Sequence, residues 1–149
     1  MNETAIAAPL GRKDIRKKAQ AIRLIAERFG CIPDGTWFDI IRFVEHVLPQ
    51  IDSKFTLEIV SLGEMRDLHG ETLPEECTIK IREDVYLRAC NGEGRDRLTI
   101  AHEVGHYLLH GDRTVRLTRV QPGRRVKTFC APEWQANAFA GEWLVDYFK

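Results

Sequence analysis

The sequence lacks several features that would place a protein in a class at once. Lysine plus arginine and aspartate plus glutamate both number 22, so no net charge directs the chain toward nucleic acid or anionic lipid. No apolar run approaches the roughly 18 residues of a membrane helix, and the opening residues lack the basic start and apolar run of a signal peptide. The four cysteines form no Cys-x-x-Cys pair, which argues against a thiolate zinc knuckle. We therefore expect one cytoplasmic domain over residues 1–149, with reduced thiols and no membrane contact.

Apolar residues at alternating steps of three and four predict four helices. The expected ranges are residues 13–29, 36–49, 94–111 and a last helix that begins at Pro132. The first should stop at Gly30. The second should open at Thr36, which with Asp39 resembles a capping box, bury a stripe that includes Trp37, and end at Pro49.

Between the second and third helices the apolar spacing changes to alternation. The segments FTLEIV (55–60) and CTIKIR (77–82) alternate, and VYLRA (85–89) follows them, so we predict two or three short antiparallel strands. Residues 62–76 are expected to form a loop. The order of helices, a small sheet and helices predicts an α+β fold, with helices packed on a small, mainly antiparallel sheet.

The segment RLTIAHEVGHYLLHG (97–111) contains a His-Glu-x-x-His motif formed by His102, Glu103 and His106. On a helix, positions i and i+4 share one face, so the two imidazoles can converge on one Zn²⁺ at about 2.0–2.1 Å each. Glu103 is rotated by about 100° from His102 and can accept a proton from water without binding the metal itself. The motif predicts a zincin-like helix that binds one Zn²⁺, with another divalent metal as an alternative.

A catalytic zinc site needs a third protein ligand. The candidates are His46, His69, the cysteines and several acids, of which Glu133 in the first turn of the last helix is the strongest. A carboxylate at that position also stabilises the helix N-terminus without any metal, so the residues alone leave both interpretations open. His106 with His110 is a less favourable ligand pair, because Tyr107 would then occupy the position of the base. His110 receives no role.

The segment 97–110 followed by EWQANAFAGEWL resembles the ImmA/IrrE family of metallopeptidases. Members carry H-E-x-G-H-x-x-x-H and then E-x-x-A-N-x-F-A at about this separation, and the resemblance covers roughly residues 95–145. It implies that His102, His106 and Glu133 bind zinc and that Glu103 is the general base. The sequence departs from the family at Leu98, where Phe is usual, and in its last residues, which lack the family's Met-Pro.

Two further residues are predicted to support the site. Asn137 follows Glu133 by four residues and resembles the acid that steadies a zinc histidine in thermolysin-like helices, since a metal-bound imidazole usually donates its other N–H to a neighbour. The alternative is placement on the helix surface. Tyr107 could point into the cleft and stabilise an oxyanion, but half-buried packing is the commoner role of such a tyrosine.

The resemblance implies a zinc-dependent endopeptidase that cleaves a helix-turn-helix transcriptional repressor in response to stress or to a mobile-element signal. The alternative is a non-catalytic zinc-containing module that sequesters a repressor or acts in a toxin–antitoxin pair. A third possibility is nucleic-acid binding through the basic run at 113–127. Because the chain has no net charge, direct nucleic-acid binding is not expected.

Overall fold

A computed structural model of the chain describes residues 4–6, 9–33, 37–110, 118–120 and 131–144. The predicted α+β class is confirmed, because helices pack around a small sheet. Within the described ranges no helix has the length and apolar character needed to cross a membrane. The helices are α1 (Arg12–Arg28), α2 (Ile40–Arg42), α3 (Leu48–Ile51), α4 (Leu62–Met65), α5 (Glu83–Cys90), α6 (Gly94–His110) and α7 (Pro132–Leu144). The strands are β1 (Thr4–Ile6), β2 (Thr56–Val60), β3 (Gly70–Leu73), β4 (Thr78–Arg82) and β5 (Thr118–Val120).

Some sequence predictions fall on residues outside these ranges. They concern Thr36 as a helix start, Gly111 as a helix end, Cys130, and most of the basic run at 113–127. The other cysteines, which lie in the described part, are free thiols. The expectation of a single domain over residues 1–149 stays a prediction.

The first helix matches its prediction closely. α1 ends at Arg28, and Gly30 adopts a left-handed backbone with φ of 79°. The N–H groups of Gly30 and Cys31 donate to the carbonyls of Glu27 and Ala26 at 3.1 and 2.9 Å. These two bonds form a Schellman motif, in which a glycine without a Cβ reverses the chain at low cost.

The second helix begins later than predicted. α2 starts at Ile40 because the Asp39 side chain accepts a hydrogen bond from the backbone N–H of Arg42 at 3.0 Å and so caps the helix. Trp37 therefore precedes the helix and is 43% exposed rather than part of the buried stripe. The capping residue that decides the start is the aspartate, which the sequence analysis had placed three residues into the helix.

Pro49 does not end the second helix, which corrects the prediction. A π-helical turn (Phe43–Val47) follows α2, with the N–H of Leu48 donating to the carbonyl of Phe43, and α3 continues to Ile51. In an α-helix the proline ring collides with the carbonyl four residues earlier. The wider turn just before Pro49 relieves that collision, so the chain stays helical past the proline.

Strands β2, β4 and β3 form a mixed sheet in that order, and β1 pairs with β5 separately in antiparallel fashion. β4 lies at the centre, where Ile79 and Ile81 are completely buried. It pairs with β3 antiparallel and with β2 parallel, so that Thr56 faces Thr78. The two strands predicted from alternation are both present, but their mutual pairing is parallel rather than antiparallel.

Two predictions in this region were wrong. The expected loop at 62–76 contains α4 and β3, and the expected third strand VYLRA belongs to α5. In α5 the buried residues are Val85 and Ala89, four positions apart, and Glu83 and Asp84 favour a helix N-terminus. The five residues of VYLRA are too few to show whether the apolar positions follow a helical or a strand period. β3 was not predicted, because all four of its residues are half-buried. Its sequence therefore shows no alternation of apolar and polar residues.

Helix α7 is the centre of the helical layer. The ring of Trp143, which is fully buried, lies 4.7 Å from Phe38, 4.7 Å from Phe43 and 5.4 Å from Phe139 between ring centroids. Large aromatic side chains contribute much of the apolar area that a core buries. This cluster packs the C-terminal half of α7 against Phe38, which precedes α2, and against Phe43 in the π-helical turn that follows α2.

Ion pairs attach α1 to the same helix. Arg12 and Arg16 contact the carboxylate of Glu142 at 3.4 and 3.1 Å, and Arg23 donates to the backbone carbonyl of Trp143 at 2.6 Å. The Glu142 side chain is buried, so its charge needs these partners. The contacts hold the C-terminal end of α7 against α1.

Gly105 lets α6 and α7 approach each other closely. A Cβ at this position would lie 3.1 Å from the carbonyl oxygen of Ala136 and 3.2 Å from Cδ1 of Phe139. Backbone atoms of α7 therefore occupy the space that a side chain would need. This packing explains why a glycine stands inside the helix that carries the His-Glu-x-x-His motif.

Gly105→Ala is expected to lower the free energy of unfolding by up to about 2 kcal/mol. Overpacking against a backbone costs about 1–3 kcal/mol, and the gain in helix propensity of about 1 kcal/mol offsets part of this loss. Gly141→Ala in α7 is the control, because apart from the neighbouring residues and backbone of α7 itself no described atom lies within 4 Å of the added Cβ. That variant should gain up to about 1 kcal/mol in urea unfolding. A Gly105→Ala protein as stable as the Gly141→Ala protein would contradict the close packing.

Candidate metal centre

The candidate site forms where α6 meets the first turn of α7. His102 and His106 lie one turn apart on α6, with ring centroids 4.7 Å apart and nearly perpendicular. Their Nε2 atoms lie 2.9 and 3.0 Å from the two carboxylate oxygens of Glu133. The three predicted metal ligands therefore converge, although Glu133 is 27 residues from His106 in the chain.

The donor atoms of this group fit a metal ion. One ligand atom from each of His102, His106 and Glu133 lies within 4.8 Å of the others. Burial lowers the pKa of His106 from 6.5 to about 4, so its imidazole is neutral near pH 7 and offers a lone pair. Two imidazole nitrogens and one carboxylate are a donor set typical of catalytic zinc. His46 and His69, which were also candidates for the third ligand, are described residues but do not belong to this group.

Glu103 lies beside the three ligands but is not one of them. Its side chain is 8% exposed, and burial raises its pKa above the ordinary 4.5. The Thr72 hydroxyl lies 2.8 Å from the Glu103 Oε1 atom and 3.0 Å from the Glu103 backbone carbonyl, so it can donate to either oxygen. A carboxylate held in place with a raised pKa is suited to exchange protons near neutral pH.

Strand β3 forms the wall opposite α6. A Cβ at Gly70 would lie 2.9 Å from Cγ of Glu103, so only glycine leaves room for that side chain. β3, α6 and the start of α7 enclose a cleft of about 460 Å³ that the metal-ligand group and Glu103 all line. The cleft is within the usual size range of small-ligand pockets, roughly 300–1,000 Å³. The strand that the sequence did not reveal therefore completes the site.

Asn137 makes the contact that its predicted role requires. Its Oδ1 atom lies 2.7 Å from Nδ1 of His102. An amide oxygen only accepts, so this contact places the His102 proton on Nδ1 and leaves Nε2 with a lone pair toward Glu133. The geometry favours a supporting role over simple surface placement.

Tyr107 points away from the cleft. Its hydroxyl donates to Asp52 at 2.5 Å, and its ring packs edge-on against Phe55 at 5.0 Å. Burial raises the pKa of Tyr107, and its hydrogen bond lowers the pKa of Asp52. These contacts favour packing, the role expected to be the commoner one for such a tyrosine, and they leave no hydroxyl for an oxyanion.

His110 and Gln135 are the contacts that the sequence analysis missed. His110 is buried, with its Nδ1 atom 3.0 Å from Nδ1 of His106 and its Nε2 atom 2.7 Å from Oε1 of Gln135. Burial lowers the pKa of His110 below its ordinary 6.5. The available signal was the second i+4 step from His106, together with a glutamine on the apolar side of α7.

Acidification is expected to destabilise the metal-free protein. Because the folded His106 has a pKa of about 4 and the unfolded imidazole one near 6.5, the unfolded state binds more protons between these values. The contribution of His106 to the free energy of unfolding is thus fully present above pH 6.5. It is lost as the pH falls toward 4, by up to about 1.4 kcal/mol per pH unit. Glu103 acts in the opposite direction, since a raised carboxyl pKa adds stability at low pH that is lost as the pH rises.

Comparison with His106→Asn isolates the histidine contribution. Urea unfolding of both metal-free proteins between about pH 7 and pH 5 should give a shallower pH dependence for the variant. Equal dependence in the two proteins would show that His106 is not buried in its neutral form.

The fold and the site together define a metallopeptidase-like domain, in which a His-Glu-x-x-His helix and a glutamate of the next helix meet at one cleft. The family model described as IrrE N-terminal-like domain (Peptidase_M78) matches residues 60–149, more than half of the sequence, and the chain belongs to that family. The resemblance to ImmA/IrrE proteins is thereby confirmed. A search of curated proteins and a search of solved structures found no match.

Proposed function

We propose that the protein is a zinc-dependent endopeptidase that cleaves a helix-turn-helix transcriptional repressor in the cytoplasm. The observation that carries the proposal is the convergence of His102, His106 and Glu133 beside the buried carboxylate of Glu103. Membership of a metallopeptidase-like family supports the reaction class. The repressor as substrate rests on the resemblance to ImmA/IrrE proteins, and regulation by stress or by a mobile element is proposed on the same ground.

His102, His106 and Glu133 would hold the zinc ion, which when bound acidifies a water molecule and polarises a carbonyl oxygen. Glu103 accepts the proton of the attacking water and later delivers it to the leaving amine. Burial favours the first step, since a raised pKa makes the Glu103 carboxylate a stronger base. The Thr72 hydroxyl holds this carboxylate by a hydrogen bond, and the absence of a side chain at Gly70 leaves room for it.

Incubation of the zinc-loaded protein with a purified repressor encoded beside its gene tests the proposal. We expect two fragments in intact-mass spectrometry, formed with zinc, absent after chelation and restored when zinc is added back. An intact repressor held in a stable complex with the zinc-loaded protein would instead support the non-catalytic module that sequesters a repressor.

A further inference from the structure

We propose that His110 and Gln135 form an uncharged hydrogen-bond relay that fixes the tautomer and the ring orientation of His106 for metal binding. The relay runs from Nδ1 of His106 to Nδ1 of His110 at 3.0 Å, and from Nε2 of His110 to Oε1 of Gln135 at 2.7 Å. Both residues are positioning residues, since neither offers an atom to the metal-ligand group. The inference rests on the proposed metal site.

With a metal ion on Nε2 of His106, hydrogen-bond chemistry allows one direction through this relay. His106 faces Glu133 with Nε2, so metal binding there requires its proton on Nδ1. That N–H needs an acceptor, and Nδ1 of His110 accepts only if the His110 proton is on Nε2. The Oε1 atom of Gln135 only accepts and therefore selects this tautomer of His110. Each proton in the chain then has one position.

Burial shows that packing alone does not account for the pair. His110 on α6 is 6% exposed and Gln135 on α7 is 0% exposed, and the two side chains meet between these helices. Buried polar side chains cost free energy unless they are hydrogen-bonded, and apolar residues would fill the same space without that cost. In the relay both buried side chains are hydrogen-bonded, to His106 and to each other.

The two metal histidines are then supported in the same manner. Asn137 accepts from His102, and His110 accepts from His106, so neither imidazole is paired with a carboxylate through Nδ1. Partners of metal-bound histidines are often carboxylates, which increase the electron donation of the ring. Uncharged partners leave more of the metal's positive charge for polarising a substrate carbonyl.

The tautomer of His110 is the direct test. Long-range ¹H–¹⁵N spectra of the wild-type protein, metal-free and zinc-loaded, should show His110 protonated at Nε2 and unprotonated at Nδ1. A His110 ring protonated at Nδ1 in the zinc-loaded protein would overturn the relay. If the wild-type protein binds no zinc, the proposed function fails, while the metal-free spectrum still reads the direction of the relay.

Metal affinity supplies the second test. Gln135→Leu and His110→Phe are expected to weaken zinc binding by about 10–100-fold in competition with a chelator, the usual loss when a partner of a metal ligand is removed. Gln135→Glu keeps the side-chain shape and an acceptor at the same place, so zinc affinity should stay within about threefold of wild type. Unchanged zinc affinity in a folded Gln135→Leu protein would overturn the proposal, and the spectra decide it if a variant does not fold.

Discussion

Glu103→Gln is expected to reduce peptide hydrolysis by about 10²–10⁴-fold or more while zinc still binds. The amide has the shape of the carboxylate, and its oxygen can still accept from the Thr72 hydroxyl, which lies 2.8 Å from Oε1 in the wild type. It cannot take a proton from water. Zinc affinity should stay within a few-fold of wild type, since Glu103 is not in the metal-ligand group.

Glu71→Gln is the matched control for this experiment. Glu71 lines the same cleft and its charge contributes to the raised pKa of Glu103, so the variant removes an equal charge from the same region. It should retain most of the activity. Full activity in the Glu103→Gln protein would remove Glu103 from the mechanism, and repressor control that persists without cleavage would favour the binding module.

Glu133→Ala is expected to weaken zinc binding by more than the roughly 100-fold that loss of a supporting partner causes. Glu133 is the anionic member of the ligand group, and its side chain is 74% exposed, so its removal should cost little folding stability. Asn137→Ala is the comparison, with an expected loss of about 10–100-fold because the ligands themselves remain. Equal zinc affinity in wild type and Glu133→Ala, measured by chelator competition, would assign the third ligand to another residue.

The sequence was most informative where residues close together in the chain decide the structure, as they do in helices. α1, α6 and α7 were predicted within a few residues because each carries an apolar face at helical spacing. The i+4 spacing of His102 and His106 needed only a helix to place both imidazoles on one face. Glu133 required a second motif, because nothing local shows that the first turn of α7 returns to α6.

The remainder depended on packing between distant segments. β3 carries no alternating pattern, yet it supplies Gly70 and Thr72 to the site, because strand order is decided by pairing with β4. In the sequence His110 is only a residue near the end of a helix. Its contact with Gln135 exists because α7 packs against α6. Tyr107 turned toward Asp52, which lies 55 residues earlier in the chain. Such contacts follow from the tertiary fold and leave little trace in a single sequence.

Anomalous diffraction at the zinc absorption edge, from crystals grown with the metal, would locate the ion relative to the three ligands. We expect one peak among Nε2 of His102, Nε2 of His106 and the carboxylate of Glu133, at about 2.0–2.2 Å from each. Glu103 and His110 should lie outside the coordination sphere, with His110 still bonded to His106. No peak at this position, or a zinc ion bound by Glu103 or His110 instead, would contradict the account.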